Sequence, residues 1–429
     1  MPEAASVWRV LKGGGVKYVK FVIVDIYGYP RVDIMNIDEA KHAFVDGVSF
    51  DASSIPAYSS VNKSDLVAYA DLNAIYIESW NGGKRALVFT NVHDGGKPSV
   101  LDPRNFARST IERVKAKRLD LLVGVELEFF LTQGSPPRPV DRYRYFDHQL
   151  GPGAAAIEEI MEQMVASGIG HTKMHHEVAP GQFEVNIPAD DLLTTADNIL
   201  VFKIMARDIA RRHGFTLTFM PKPFWGVNGS GAHVHLSFWR DGRNLFASRG
   251  EPSEELRHVV GGLLRFALPN SVWVAPTVNS YKRLVPHHEA PTRVVWGIGN
   301  RSAMIRIPHY GGRINRLEYR HPDPSMNPYI ALSAVSLAAL EGLEKKAEPP
   351  PPVAEVAYEL REVAETPPNL GEAVKLARHG GVEIEGRLKE TYLRLKEEEW
   401  ESYLTEVGSW ENTWNKITEW EYARYLETA

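Results

Sequence analysis

The 429-residue chain contains no cysteine. That excludes disulfides, thiolate nucleophiles, cysteine-bound zinc and iron–sulfur clusters. No apolar stretch approaches the ~18 residues of a membrane span. The N-terminal run MPEAASVWRVLKGGG lacks the charged-then-apolar layout of a secretory signal and reads as a short helix stopped by glycines. Strong charge of either sign is also missing: 49 Lys and Arg against 54 Asp and Glu leave −5. Such a balance argues against a general nucleic-acid or anionic-membrane binder. There is no GxxxxGK[ST] phosphate loop, and the Gly13–Gly15 run lacks the strand-before-helix setting of a dinucleotide site. The expectation is a soluble cytoplasmic protein.

What is present is ordinary in bulk. With 44% hydrophobic and 24% charged residues, the chain suits a globular protein of two or more domains. Residues 16 to about 100 read as strands and turns: VKYVKFVIVDIYG alternates, YGYP turns, and ALVFTNV is another strand. Between them SFDASSIPAYSSVNKSDL is a long polar loop of the kind that carries function. From about 103 helices and strands alternate, so the expected division is 1–102 and 103–429. FARSTIERVKAKRLD, AAAIEEIMEQMVASG and ADDLLTTADNILVFKIMARDIARRHG read as helices, the last capped by Asp190 and ended at Gly214. NPYIALSAVSLAALEGLEKK is a further helix, and EPPPP at 348–352 is a stiff extended break. Beyond it LKETYLRLKEEEWESYL and WENTWNKITEWEYARYL read as a helical tail whose aromatics belong to a core or a subunit contact.

The placement of polar residues is unusual. Three apolar runs carry ionisable side chains at every second position: Glu126 and Glu128 in VGVELEFFL, His233 and His235 in GAHVHLSF, and Glu318 and Arg320 in RLEYRHP. A strand sends residues i and i+2 to one face, so each run aims two polar groups the same way. Glu177 and Glu184 flank VAPGQF, a turn able to bring them together. Taken singly, each carboxylate is explained by an exposed strand face or a salt bridge. Five of them in apolar surroundings, joined by His233, are not. Hard oxygen donors with imidazole suit Mg²⁺ or Mn²⁺, and six such groups are too many for one site that also holds substrate, so two metals are expected. The loop Lys222 to Gly231, with Asn228 and Gly229, lets backbone N–H groups approach an anion. Arg283, Arg301, Arg306, Arg316 and Arg320 supply forks that bind carboxylate or phosphate at two points. Metals with several arginines imply a highly anionic transient such as a phosphoryl group in transfer.

Together FDASSIPAYSSVNKSDL, VGVELEFFL, HHEVAPGQFEV, TFMPKPFWGVNGSGAHVHLS, NSYKRLVPHHEAP, GNRSAMIRIP and RLEYRHPDPSMNPY resemble the glutamine synthetase family, prokaryotic type, in the family's own order. The resemblance implies an α+β fold: a small N-terminal β-grasp-like domain, then a larger catalytic domain with a curved antiparallel sheet flanked by helices. It implies ATP-dependent joining of ammonia to glutamate in a double-ring dodecamer, with each active site shared between subunits. By position, Glu128, Glu177 and Glu184 resemble ligands of the metal beside glutamate, and Glu126, His233 and Glu318 those of the metal holding the ATP phosphates. His235, Ser237, Arg306, Arg313 and Arg316 correspond to the nucleotide side. Asn228, Gly229 and Arg283 lie in the amino-acid segments, and Arg301 and Arg320 face the transferred phosphoryl group. Asp51, offered across the subunit interface, resembles the group that takes a proton from ammonium, and Glu289 the flap residue.

Three departures stand out. His287-His288 replaces the family's usual Gly-Tyr before Glu289, Ala52 replaces glycine after Asp51, and Tyr358 lacks the surroundings of the adenylylated branch. The first two fall near the amine end, so the acceptor amine is where this chain is expected to differ. Two alternatives follow: a ligase for a polyamine or other amine, and a non-catalytic ring-forming relative. Retention of Asp51 and Glu289 favours ammonia over the first. The full set of six ligands speaks against the second.

Overall fold

The computed structural model describes residues 3–429. Two sheets carry the chain. The first has strand order Pro30–Asn36, Tyr18–Val24, Arg85–Asp94, Asp65–Ile77, Val48–Asp51, and its one parallel pair is Tyr18–Val24 with Arg85–Asp94. Leu11, Ala40, Ala43 and Phe44 from the helices Ala4–Gly13 and Ala40–Asp46 close over Val19, Phe21 and Val88 on one face. This is the β-grasp-like domain. The polar stretch after Asp51 is ordered: two short 3-10 turns, Ala52–Ser54 and Val61–Lys63, flank Tyr58, whose buried hydroxyl donates to Val24 O at 2.7 Å.

The second sheet runs Trp296–Ile298, Ile305–Ile307, Leu317–Tyr319, Ala232–Arg240, Asp120–Gln133, Gln182–Asp190, Met174–His176, antiparallel except for the first pair. Its apolar face, including Val123, Val125, Leu127 and Phe129, packs on helices of which Leu192–Arg212 and Pro328–Lys345 are the most deeply set. Pro328–Lys345 is almost wholly buried and its crossing with Glu254–Phe266 needs glycine. A Cβ on Gly262 would lie 2.3 Å from Ala338 O, and one on Gly342 2.4 Å from His258 O.

Several polar contacts tie the first sheet to the elements around the second, two of them deeply buried. Arg104, fully buried, donates to both Asp197 oxygens (3.1 and 2.7 Å) and pairs with Asp71 at 3.0 Å. Asn327 caps the Pro328 helix and donates to the carbonyls of Asp25 and Ile26.

Sequence and structure differ in several places: the helix Ala40–Asp46 falls in the stretch read as strands and turns, the helices Glu254–Phe266 and Leu370–His379 are not among those read from the sequence, and two further differences have clear local causes. Asp191, not Asp190, caps the Leu192 helix, accepting from the N–H groups of Leu193 and Thr194, because Asp190 is still paired with Val123 in the sheet. The tail after 408 is not one helix. A 3-10 turn Trp410–Asn412 precedes the short helix Glu419–Tyr425, whose start is set by a capping box of Thr418 and Glu421. Of the tail's aromatics Tyr403 and Tyr425 are core, buried among the partly buried Trp400, Trp410 and Trp420, while Trp414 is exposed. Among the described residues no helix is long and apolar enough to cross a membrane.

Candidate active site

The register of the second sheet assembles the site. Glu126 lies opposite His233, Glu128 opposite Glu184, Glu184 opposite His175, and Glu318 opposite both His235 and Arg306. Directly opposed residues sit ~5 Å apart at Cβ, so six strands lay one polar stripe across an otherwise apolar sheet.

At one end of the stripe the carboxylates meet arginine and histidine. Glu318, fully buried, accepts from Arg306 and Arg320, each at 2.6 Å. Burial would raise its pKa, but Arg320 and the nearby His235 and His233 hold the carboxyl down, to about 2. Glu126 lies 3.3 Å from His233 Nδ1 and 3.1 Å from His235 Nε2. Burial opposes its charge as well, and hydrogen bonds from the two imidazoles push it well below the carboxylate range. Arg316 Nε donates to His235 Nδ1 at 3.2 Å.

At the other end the carboxylates face each other. Burial, then the charges of Glu177 and Glu184, push Glu128 far above the carboxylate range. Burial and Glu184 raise Glu177 to about 7. Glu128 accepts from Gly231 N (2.9 Å) and Gln182 Nε2 (3.0 Å). Glu184 Oε1 is buried and accepts no hydrogen bond from the described residues, although His175 Nε2 is 3.2 Å away. Two subsets, Glu126 with Glu184 and His233, and His175 with Glu177 and Glu184, bring ligand atoms within 4.8 Å of one another.

A 230 Å³ cavity opens over this second end. Glu128, Glu177, Glu184 and His233 form its floor, Asn228, Gly229 and Arg283 one wall, and His288, Glu289, Arg301 and Arg320 the other. Arg283 is buried and fixed by donation to the carbonyls of His321 (2.9 Å) and Arg320 (3.1 Å). Glycine is required at two lining positions: a Cβ on Gly229 would lie 2.3 Å from Pro221 O, and one on Gly231 2.6 Å from the His233 ring. The flap is held over the cavity by Asn228 Nδ2 donating to Glu289 Oε2 (3.1 Å) and by Arg320 donating to Glu289 O (3.1 Å). His287 and Glu289 both have left-handed backbone, φ 66° and 57°, which costs strain in non-glycine residues.

Eight of the site residues singled out in the sequence do not line this cavity: Glu126, His235, Arg306, Arg316 and Glu318 belong to the paired end of the stripe, and Ser237, Arg313 and Asp51 are the other three. Ser237 accepts from Trp239 Nε1, Arg313 is exposed on the short strand Arg313–Ile314, and Asp51 is exposed at the edge of the first sheet. The structure adds Gln182, which bridges Glu128 and Gly229 O, and Tyr145, which lines the cavity and stacks on Phe146 at 4.1 Å. Gln182 was visible in principle, two residues before Glu184 on the same face. Tyr145 sits in an irregular polar segment with no periodic signal.

Residues 15–95 match the family described as glutamine synthetase, beta-Grasp domain, and residues 100–415 match glutamine synthetase, catalytic domain. The chain belongs to the glutamine synthetase family. As a member it is an enzyme, a ligase that forms a carbon–nitrogen bond. The glutamine synthetase of Pyrococcus horikoshii is 39% identical over 430 residues, covering 97% of each chain. That of Thermotoga maritima is 38% identical over 431 residues, covering 95% of this chain and 98% of its own. Among solved structures, a GmaS–ADP complex superposes with a TM-score of 0.87 at 31% identity, covering 98% of this chain and 99% of its own. Ligand-free GmaS gives 0.87 at 32%.

Proposed function

We propose that the chain joins ammonia to the γ-carboxylate of L-glutamate, using ATP and passing through γ-glutamyl phosphate, to give glutamine, ADP and phosphate. One observation carries this reading: six metal-type donors lie together, with Glu318 paired to arginines and Glu126 to imidazoles at one end and mutually repelling carboxylates at the other.

The donor set fits Mg²⁺ or Mn²⁺, being oxygen and imidazole only, with a buried Glu184 oxygen lacking any hydrogen bond. Glu128, Glu177 and Glu184 would hold the cation beside glutamate, and Glu126, His233 and Glu318 the one beside the ATP phosphates. Bound there, such cations neutralise and polarise phosphoryl oxygens.

The chain's own residues do the rest. His235, Ser237, Arg306, Arg313 and Arg316 line the nucleotide side, while Arg283, Asn228 and Gly229 hold the amino acid. The γ-phosphoryl group leaves ADP and bonds to a γ-carboxylate oxygen, turning that oxygen into a good leaving group. Arg301 and Arg320 face it and offset the charge that develops. Asp51 of a neighbouring copy removes a proton from ammonium, neutral ammonia attacks the carbonyl carbon, and the adduct's nitrogen passes a second proton to Glu289 as phosphate departs. Glu289 on the flap also keeps water from the acyl phosphate.

We assign Asp51 to a neighbour's site because in its own chain it is exposed and off the cavity. The family resemblance supports a double-ring dodecamer with shared sites, and the molar mass in solution tests it. A second reading, in which another amine replaces ammonia, has one observation of its own: His288 lines the cavity beside Glu289, where the family usually has tyrosine. Phosphate release from Mg²⁺-ATP and glutamate decides between them, comparing ammonium with methylamine, putrescine and spermidine. Ammonium should give the highest kcat/KM. Release that depends on another amine and not on ammonium overturns the first reading.

A further inference from the structure

The glycine-rich loop that carries Asn228 and Gly229 is long, irregular and half-exposed, yet it forms one wall of the cavity. Its support comes from the far end of the chain. Glu421, fully buried on the short helix Glu419–Tyr425, accepts from Asn279 Nδ2 at 2.7 Å and from Lys282 Nζ at 2.6 Å. Asn279 in turn grips the start of the loop by both backbone groups of Lys222: Oδ1 accepts from its N–H (2.7 Å) and Nδ2 donates to its carbonyl (2.9 Å). The Lys222 ammonium reaches across the loop to Val227 O, next to Asn228. From the same helix Tyr422 donates to Pro223 O at 2.7 Å, and Trp414 packs edge-on against Trp225 at 5.4 Å.

The other branch reaches the opposite side of the same wall. Lys282 is fully buried and satisfied by Glu421, Tyr403 OH (3.0 Å) and Lys416 O (2.8 Å). Its chain neighbour on the four-residue helix Ser280–Arg283 is Arg283. One carboxylate thus anchors both the loop with Asn228 and Gly229 and the turn with Arg283, and it touches nothing in the cavity. A capping-box glutamate needs only its own helix start. The two further bonds made by Glu421, to segments about 140 positions away, exceed that need.

We propose that Glu421 is a positioning residue for the amino-acid subsite, and that the C-terminal segment 410–425 acts through it as a brace for the loop 222–231. The inference rests on reading this wall as the glutamate side of the cavity. A brace of this kind sets where the wall stands and leaves the nucleotide end untouched, since Glu318 and Glu126 bond to arginine and histidine and not to Glu421 or the loop 222–231. Binding of glutamate should therefore weaken without a matching loss at ATP.

Glu421→Gln keeps the shape and one acceptor oxygen while stranding Lys282. Tyr422→Phe is the milder variant, deleting a single hydrogen bond to the loop. In the full-length enzyme, KM for glutamate should rise about tenfold in the first and about threefold in the second, with kcat and KM for ATP within about twofold. Hydrogen exchange at 222–231 should quicken in both. Folded variants with unchanged KM for glutamate, or with glutamate and ATP affected alike, overturn the proposal. If Glu421→Gln does not fold, Tyr422→Phe decides. Should the parent enzyme release no phosphate with glutamate and any amine, the functional reading fails by itself. The exchange measurement then judges the brace: unchanged rates at 222–231 end it.

Discussion

Glu126 and Glu128 are the same residue type, two positions apart on one strand and one face, yet their environments pull them in opposite directions. Glu126 meets two imidazoles and is held ionised, while Glu128 meets Glu177 and Glu184 and is driven towards its protonated form. The same contrast separates Glu318, held at about 2 by arginine and histidine, from Glu177, raised to about 7. One end of the stripe is internally neutralised. The other is short of positive charge until something cationic arrives. Charge count alone does not reveal this, because the difference lies in which strands are neighbours.

The neutralised end is the one that should fail most severely. Glu318→Ala strands Arg306 and Arg320 in a buried setting, so we expect a loss of about 3–5 kcal/mol of stability. Phosphate release should fall by at least about a thousandfold. Denaturant unfolding and activity assays check the two effects.

Stripped of metal, the repelling end should respond to pH with the opposite sign to the neutralised end. Glu177 has its folded pKa raised, so the folded state binds more protons than the unfolded one between about 4.5 and 7. In the presence of a chelator, its contribution makes the protein more stable at pH 5.5 than at pH 7.5, by about 1–3 kcal/mol. Glu318, with its pKa lowered, contributes stability that is present above about 4.5 and is lost only as pH falls towards 2. Thermal melts at the two pH values test this, and millimolar Mg²⁺ should abolish the difference by raising the pH 7.5 melt.

A matched pair of neutral variants sharpens the comparison further. In metal-free protein Glu128→Gln should raise stability by about 1 kcal/mol, because it removes like-charge repulsion. Glu126→Gln should lower it by a similar amount, since it unpairs two imidazoles. If both shift the melt the same way, the two ends do not differ as described.

The smallest effect is expected at the flap. His288→Tyr should change the ratio of kcat/KM for methylamine and ammonium by about threefold, a size typical of one side-chain contact in a pocket. An unchanged ratio removes His288 from amine selection.

Much of this was legible beforehand. Alternation in the runs around Glu126, His233 and Glu318 marked strands with a polar face, and each pair does share the stripe. Four helices from 103 onward, Pro103–Ala116, Ala154–Ala166, Leu192–Arg212 and Pro328–Lys345, followed from the sequence pattern, while Glu254–Phe266 and Leu370–His379 did not. The misses have local causes. Asp190 looked like a cap because two aspartates adjoin, and only the extra sheet pairing hands the cap to Asp191. Tyr145 had no periodic context. The break in the tail at Thr418 was hidden by helical aromatic spacing on both sides of it.

The sequence by itself determined which groups could take part: no thiol, six oxygen and imidazole donors, a set of arginines, and strand spacing that turns each pair to one side. Those are properties of residue type and of a two-residue repeat, which need no distant partner. Tertiary structure decided which carboxylate faces an arginine and which faces another carboxylate, because strand order and register join segments nearly two hundred positions apart, as with Glu126 and Glu318 around His233. It also decided that Glu421, a glutamate like many others in an acidic tail, lies buried behind the cavity wall. Coulomb forces and burial act on distance in space, and the chain's order does not carry that distance until it has folded.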